Sequence, residues 1–210
     1  MLRETIHHFI FDPDVEERSG DTVQFRLIYD GRLPAASVSD TRSTVKHAIR
    51  KALHPQLDEL WSFHPALERI ARHTDEQVGA VFSGDAFARC GYRFVPLICN
   101  AFGLTCSLDI LFLRRDMPGG LIRSGGDIDN RLKVLFDALR VPQNCSELAG
   151  ATPEPHEANR FFCLLEDDAL ITELRVTTDW LLTPRADGES VNDVRLIIQV
   201  KTVLTMEPVL

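Results

Sequence analysis

The chain has 210 residues and a formal net charge of −8, with 44% hydrophobic and 26% charged residues. That balance and length fit one soluble globular domain with a sizeable core, and the elements taken in order are mixed α and β. They argue against indiscriminate nucleic-acid binding, while leaving room for a local basic patch. No apolar run approaches the roughly 18 residues of a membrane span. The segment Met1 to His8 lacks the apolar region of a signal peptide. Five cysteines, an odd number and without a C-x-x-C pair, predict reduced thiols and a cytoplasmic location.

Taken in order, Asp12-Pro13-Asp14-Val15-Glu16-Glu17 is an acidic segment best read as a solvated loop. Val23 to Tyr29 alternates apolar and polar residues ahead of Asp30-Gly31, the pattern of a strand running into a turn. A long helix follows from N-caps between Ser37 and Asp40, with Val45, Ile49, Leu53 and Leu57 as its apolar stripe. Pro55 either kinks that helix or begins a second one. Arg42, Lys46 and Arg50 recur every four residues without an acid among them. Such a stripe suits phosphate contacts, and a solvated helix face explains it equally well.

His64-Pro65 starts a further helical piece, residues 74 to 90 are ambiguous, and Tyr92 to Cys99 reads as a strand containing Pro96. Leu104 to Leu113 is a strand with Leu104, Cys106, Leu108, Ile110 and Phe112 on one face. It leads through Arg114-Arg115 and a Gly-rich loop holding Arg123 to Gly125-Gly126-Asp127-Ile128-Asp129-Asn130-Arg131-Leu132-Lys133. Leu132, Leu135, Phe136 and Leu139 then fall at the spacing of a one-sided buried helix, with Asp129 or Asn130 at the N-cap. If the entry is extended, Asp127 and Asp129 share a face and need a cation or a proton between them. Lys133 lies one helical turn farther on. The plain alternative is helix capping together with an Asp129–Lys133–Asp137 surface ladder.

Residues 141 to 160 look like an inserted loop. A second acidic stretch, Glu166-Asp167-Asp168, follows an apolar segment. Leu174 to Leu182 and Val194 to Lys201 then read as two strands forming a hairpin. No nucleophile elbow or phosphate-binding G-x-x-x-x-G-K-[ST] loop is present, so a serine nucleophile and a nucleotide cofactor have no support.

Asp127-Ile128-Asp129-Asn130-x-x-Lys133, Phe136-Asp137-Ala138-Leu139 and Asp167-Asp168-Ala169 before a strand together resemble the RusA-type Holliday-junction resolvases. The resemblance covers residues 104 to 182. It implies a RusA-like α+β fold, a small mixed sheet packed with helices, in a single domain over 1–210 with an N-terminal extension and the 141–160 insertion. It further implies a homodimer that cuts four-way, branched DNA with Mg²⁺, Mn²⁺ being an alternative. On this chain the catalytic carboxylates fall on Asp127, Asp129 and Asp168, with Asp167 beside them as a further metal ligand and Lys133 as the essential lysine. Arg42, Lys46, Arg50, Arg114, Arg115 and Arg123 are the expected DNA contacts. The chain departs from a minimal member in its length and in having one arginine just before the D-x-D.

Overall fold

A computed structural model describes residues 23–34, 39–64, 67, 76–115, 128–183, 190 and 192–204. The fold is mixed α/β. Strands β1 (Gln24–Arg32), β4 (Leu104–Arg114), β6 (Ile171–Trp180) and β7 (Asp193–Leu204) form one sheet in the order β1-β7-β4-β6. β7 runs antiparallel to β1 and β4, whereas β6 is parallel to β4. A smaller sheet, in the order β2-β3-β5, holds β2 (Ala88–Arg89), β3 (Tyr92–Ile98) and β5 (Phe161–Leu165), with β3 and β5 parallel.

The alternation in β4 and β7 buries Cys106, Leu108, Ile110 and Phe112 beside Val194, Leu196, Ile198 and Val200. Against that face pack helix α1 (Ser39–Phe63), through Val45, Ile49, Leu53 and Leu57, and helix α3 (Ile128–Leu139), through Val134, Leu135 and Leu139. A short helix, α2 (Glu76–Phe82), adds Val81 and Phe82. A second cluster of Tyr92, Phe94, Val141, Leu148 and Phe161 seals the small sheet. Among the described residues no helix is long and apolar enough to cross a membrane.

Several expectations change. Asp30-Gly31 is not a turn: β1 continues to Arg32, pairing Asp30 with Arg195 and Gly31 with Val194. A Cβ on Gly31 would stand 2.6 Å from the Tyr29 hydroxyl, which explains glycine within a strand. Of the two readings of Pro55, the single helix holds and a second helix does not begin there; the proline sits exposed inside α1, where the lost hydrogen bond faces water. The last two strands are not a hairpin, because β4 lies between β6 and β7. Both find a better partner in β4, which is apolar enough to be central. The 141–160 stretch is not structureless, since it carries a 3₁₀ turn over Cys145–Leu148.

The cysteines are not all reduced. Cys90 and Cys145 form a disulfide, and Cys99, Cys106 and Cys163 remain as buried thiols. Cys90 and Gly91 occupy the two-residue turn between β2 and β3, both with positive φ, 56° and 84°. Such a turn matches the twist of the flanking strands, so the disulfide anchors a tight hairpin to the segment that follows α3. The acidic run 12–17 and the pair His7-His8 lie outside the described residues, as does most of the piece begun by His64-Pro65.

Candidate functional site

Helix α3 follows the D-x-D stretch, and its first half is fixed by a residue the motif leaves unspecified. Arg131 is buried and donates through Nη1 to the Leu33 carbonyl at 2.6 Å and through Nη2 to Asn192 Oδ1 at 3.5 Å. Leu33 N–H in turn donates to the Asn192 carbonyl at 2.9 Å. The amino end of α3 is thereby held where β1 ends and β7 begins. Val194 pairs there with Arg114, so this is also where β4 ends.

Asp129 and Asn130 lie within the first helical turn rather than at the N-cap, because α3 begins at Ile128. Asp129 is exposed, and its Oδ1 accepts from the Asn130 N–H at 2.7 Å. A carboxylate there is favoured by the helix dipole. Lys133 is exposed too. The Asp129–Lys133–Asp137 ladder does not form: Asp137 turns instead to Lys46 Nζ at 2.6 Å and Arg140 Nη2 at 3.0 Å. Asp127 and Arg123 lie outside the described residues.

The second acidic stretch spends two of its three carboxylates on local backbone. Glu166 accepts from the Asn100 N–H at 2.7 Å, and Asp167 accepts from the Ala169 N–H at 2.9 Å, capping the 3₁₀ turn Asp168–Leu170. Asp168 is left exposed. It directly precedes β6, whose Ile171 pairs with Cys106 near the start of β4. Helix α3 packs against the Asp168–Leu170 turn, so the two acidic stretches adjoin through this helix, while Asp127 lies outside the described residues. Among the described residues no three His, Cys, Asp or Glu side chains gather as a metal site.

The expected DNA-contacting stripe is also corrected. Arg50 is buried at 2% exposure and donates to the carbonyls of Asp137, Arg140 and Glu147, and to the Glu147 carboxylate at 3.0 Å. Arg140 reaches the same carboxylate at 3.2 Å. Lys46 is committed to Asp137, so of the three stripe residues Arg42 alone is in no ion pair among the described residues. Burial lowers the Arg50 pKa, with Glu147 acting against it. Asp137 is held below the usual carboxylate range: burial pushes it up, but Lys46 and Arg140 outweigh that. Arg114 is buried at 1% exposure, and half-buried Arg115 donates to the carbonyls of Leu181 and Thr183. Arg50 and Arg115 tie elements together, and burial withdraws Arg50 and Arg114 from a phosphate-binding face.

The sequence did hold a signal for Arg50. It precedes Leu53, His54 and Leu57 by three, four and seven residues, which places it on the buried stripe. Glu147, buried within the supposed loop, had no such signal. Burial pushes the thiols of Cys99, Cys106 and Cys163 up to about 12, so none is poised as a nucleophile.

A divalent magnesium ion needs only one or two carboxylates, with water and phosphate completing its shell. Asp129 with Asp127 two residues before it satisfies that need by chemistry, without Asp168. No protein-family model, curated protein or solved structure matches this chain.

Proposed function

We propose that the protein is a divalent-metal-dependent endonuclease acting on branched DNA, four-way junctions above all, with its site at the amino end of α3. The observation that carries this reading is the contrast along one helix. Arg131 and Asp137 are tied into the fold, whereas Asp129 and Lys133 stand exposed and in no ion pair among the described residues. A pair kept for stability would close on itself. A pair kept open at the end of β4 suits a ligand. The likeness of Asp127 to Lys133 to the RusA-type pattern supports the same assignment.

Asp127 and Asp129 would hold Mg²⁺ or Mn²⁺, which when bound supplies Lewis-acid polarisation of a phosphoryl oxygen. Lys133 places a point charge beside the phosphate and offsets the negative charge that builds in the transition state. Two cuts in opposed strands call for two such sites, hence a homodimer. The test is cleavage of a synthetic four-way junction with and without Mg²⁺, by wild type and Asp129→Asn. Metal-dependent cleavage lost in the variant supports the reading, and a panel of flaps, forks and duplexes defines the preferred structure.

A second reading is favoured by the structural use of the second acidic stretch, where Glu166 accepts from the Asn100 N–H and Asp167 caps the Asp168–Leu170 turn. Acids used in this way fit a DNA-binding or scaffold protein that keeps the fold without cutting. Junction binding with no cleavage in either metal would select it.

A further inference from the structure

The four-stranded sheet has two edges, and they are finished differently. At β1 the Gln56 amide closes the edge: its Oε1 accepts from the Ile28 N–H at 2.8 Å and its Nε2 donates to the Ile28 carbonyl at 2.7 Å. At β6 the one such contact among the described side chains is local, Asp179 Oδ1 accepting from the Trp180 N–H at 2.7 Å, a bond that strand pairing would exchange for one across the interface. β6 is ten residues long, lacks proline and is rich in β-branched residues, the profile of an edge that pairs with another strand. Leu181 N–H donates to the Arg114 carbonyl, so the odd-numbered residues of β6 bond to β4. The backbone groups of Leu174, Val176, Thr178 and Trp180 therefore face outward.

We propose that β6 pairs antiparallel with β6 of a second copy about a two-fold axis at Thr177, joining two sheets into one. The side chains select this register. With Thr177 opposite itself, Arg175 faces Asp179 of the second copy, and Leu174 faces its Trp180, each contact made twice. Leu174 and Trp180 are each 43% exposed in the single chain, and both point to the sheet face on which Leu108 and Arg114, their β4 partners, lie. Neighbouring registers do worse. Centring on Arg175 sets it against itself, and centring on Val176 sets Glu173 against Asp179. Centring on Leu174 matches Glu173 with Arg175 but leaves Trp180 beyond the paired strand. Within one chain Arg175 has only a loose contact with Asp109, 3.9 Å away and exposed, so it remains available. Opposite charges and aromatic–aliphatic pairs across strands are the contacts that fix register in a sheet.

The interface stands apart from the nuclease reading, since a chain that cuts nothing would still dimerise this way. The test is light scattering across micromolar concentrations on wild type, Arg175→Asp, Asp179→Arg and the double exchange. The wild type is expected at twice the 23.7 kDa chain mass. Each single reversal should weaken the dimer at least about tenfold, as two attractive pairs become repulsive, and the double exchange should restore it. Thr177→Cys should crosslink to itself under mild oxidation, because Cα atoms of such a non-hydrogen-bonded pair lie about 4.5 Å apart. Glu173→Cys should not. A wild type that stays monomeric would overturn the proposal. So would a dimer indifferent to both reversals, or a double exchange that fails to rescue.

Discussion

The two halves of α3 use the same residue types to opposite ends. At its carboxyl end Asp137 and Arg140 join Lys46, Arg50 and Glu147 in a nearly dry network that clamps α3 to α1. At its amino end Asp129 and Lys133 have the helical spacing of a pair and remain apart in water. The difference is not charge but whether a neighbouring element covers it. Where α1 lies over the helix, each charge costs desolvation and has to find partners. Where nothing described covers it, a charge costs little to leave unpaired, and it is available for a ligand.

The comparison breaks most severely at Arg50. Arg50→Ala leaves Glu147 buried beside an emptied pocket and removes donors from three carbonyls. We expect a loss of about 3–5 kcal/mol, read as a lower urea midpoint with an unchanged slope. A midpoint within experimental error of wild type would mean that the network is not structural.

Lys133→Ala should show the opposite profile. Its folding stability should stay within about 0.5 kcal/mol of wild type, while single-turnover junction cleavage at saturating enzyme falls at least about 100-fold, or roughly 2.7 kcal/mol. Equal cleavage rates would return Lys133 to the solvated surface. Lys133→Met, which keeps most of the stem without the charge, should match the alanine variant.

Two histidines on the covered side of α1 sharpen the contrast by pH. Burial lowers the pKa of both His47 and His54 from the ordinary 6.5, and His54 Nδ1 accepts from the Phe162 N–H at 2.9 Å, which requires the neutral ring. Because the folded value is depressed, the unfolded chain takes up protons first. The stability they contribute is present above pH 6.5 and is lost as pH falls below it, by at most about 2 kcal/mol per histidine at pH 5. Denaturation between pH 7.5 and 5 should show that slope, and His54→Gln should flatten it.

The smallest effect is expected at Asp137. Its depressed pKa makes its contribution present above about pH 4 and lost at lower pH. Asp137→Asn should therefore be the less stable protein near neutrality by about 1 kcal/mol, with the gap closing in acid. A gap that persists unchanged at pH 3 would assign the loss to packing.

Much of the fold was legible in the pattern of apolar residues. Cys106 to Phe112 and Val194 to Val200 announce strands, and Val45 to Leu57 a helix, because one face of each must be buried. What the pattern could not supply was adjacency. β6 follows the second acidic stretch and precedes β7 in the chain, so a hairpin was the local inference, yet β4 takes the place between them. Arg50 and Lys46 were misread because a helical repeat of four shows which residues align but not what covers them. Cys145 met Cys90 across 55 residues of sequence, a pairing that spacing alone does not reveal.

The position of β7 has a consequence for synthesis. It is the last described strand, yet it sits between β1 and β4 and supplies the only described strand neighbour of β1. β1 ends at Arg32 and β7 begins at Asp193, so 160 residues (33 to 192) lie between them. At about 5–20 residues per second, the nascent chain carries β1 unpaired for roughly 8–32 s. Leu27 and Tyr29, nearly inaccessible in the finished sheet, would spend that interval without their sheet partners, so a ribosome stalled before β7 should leave a chain that chaperones hold and proteases find.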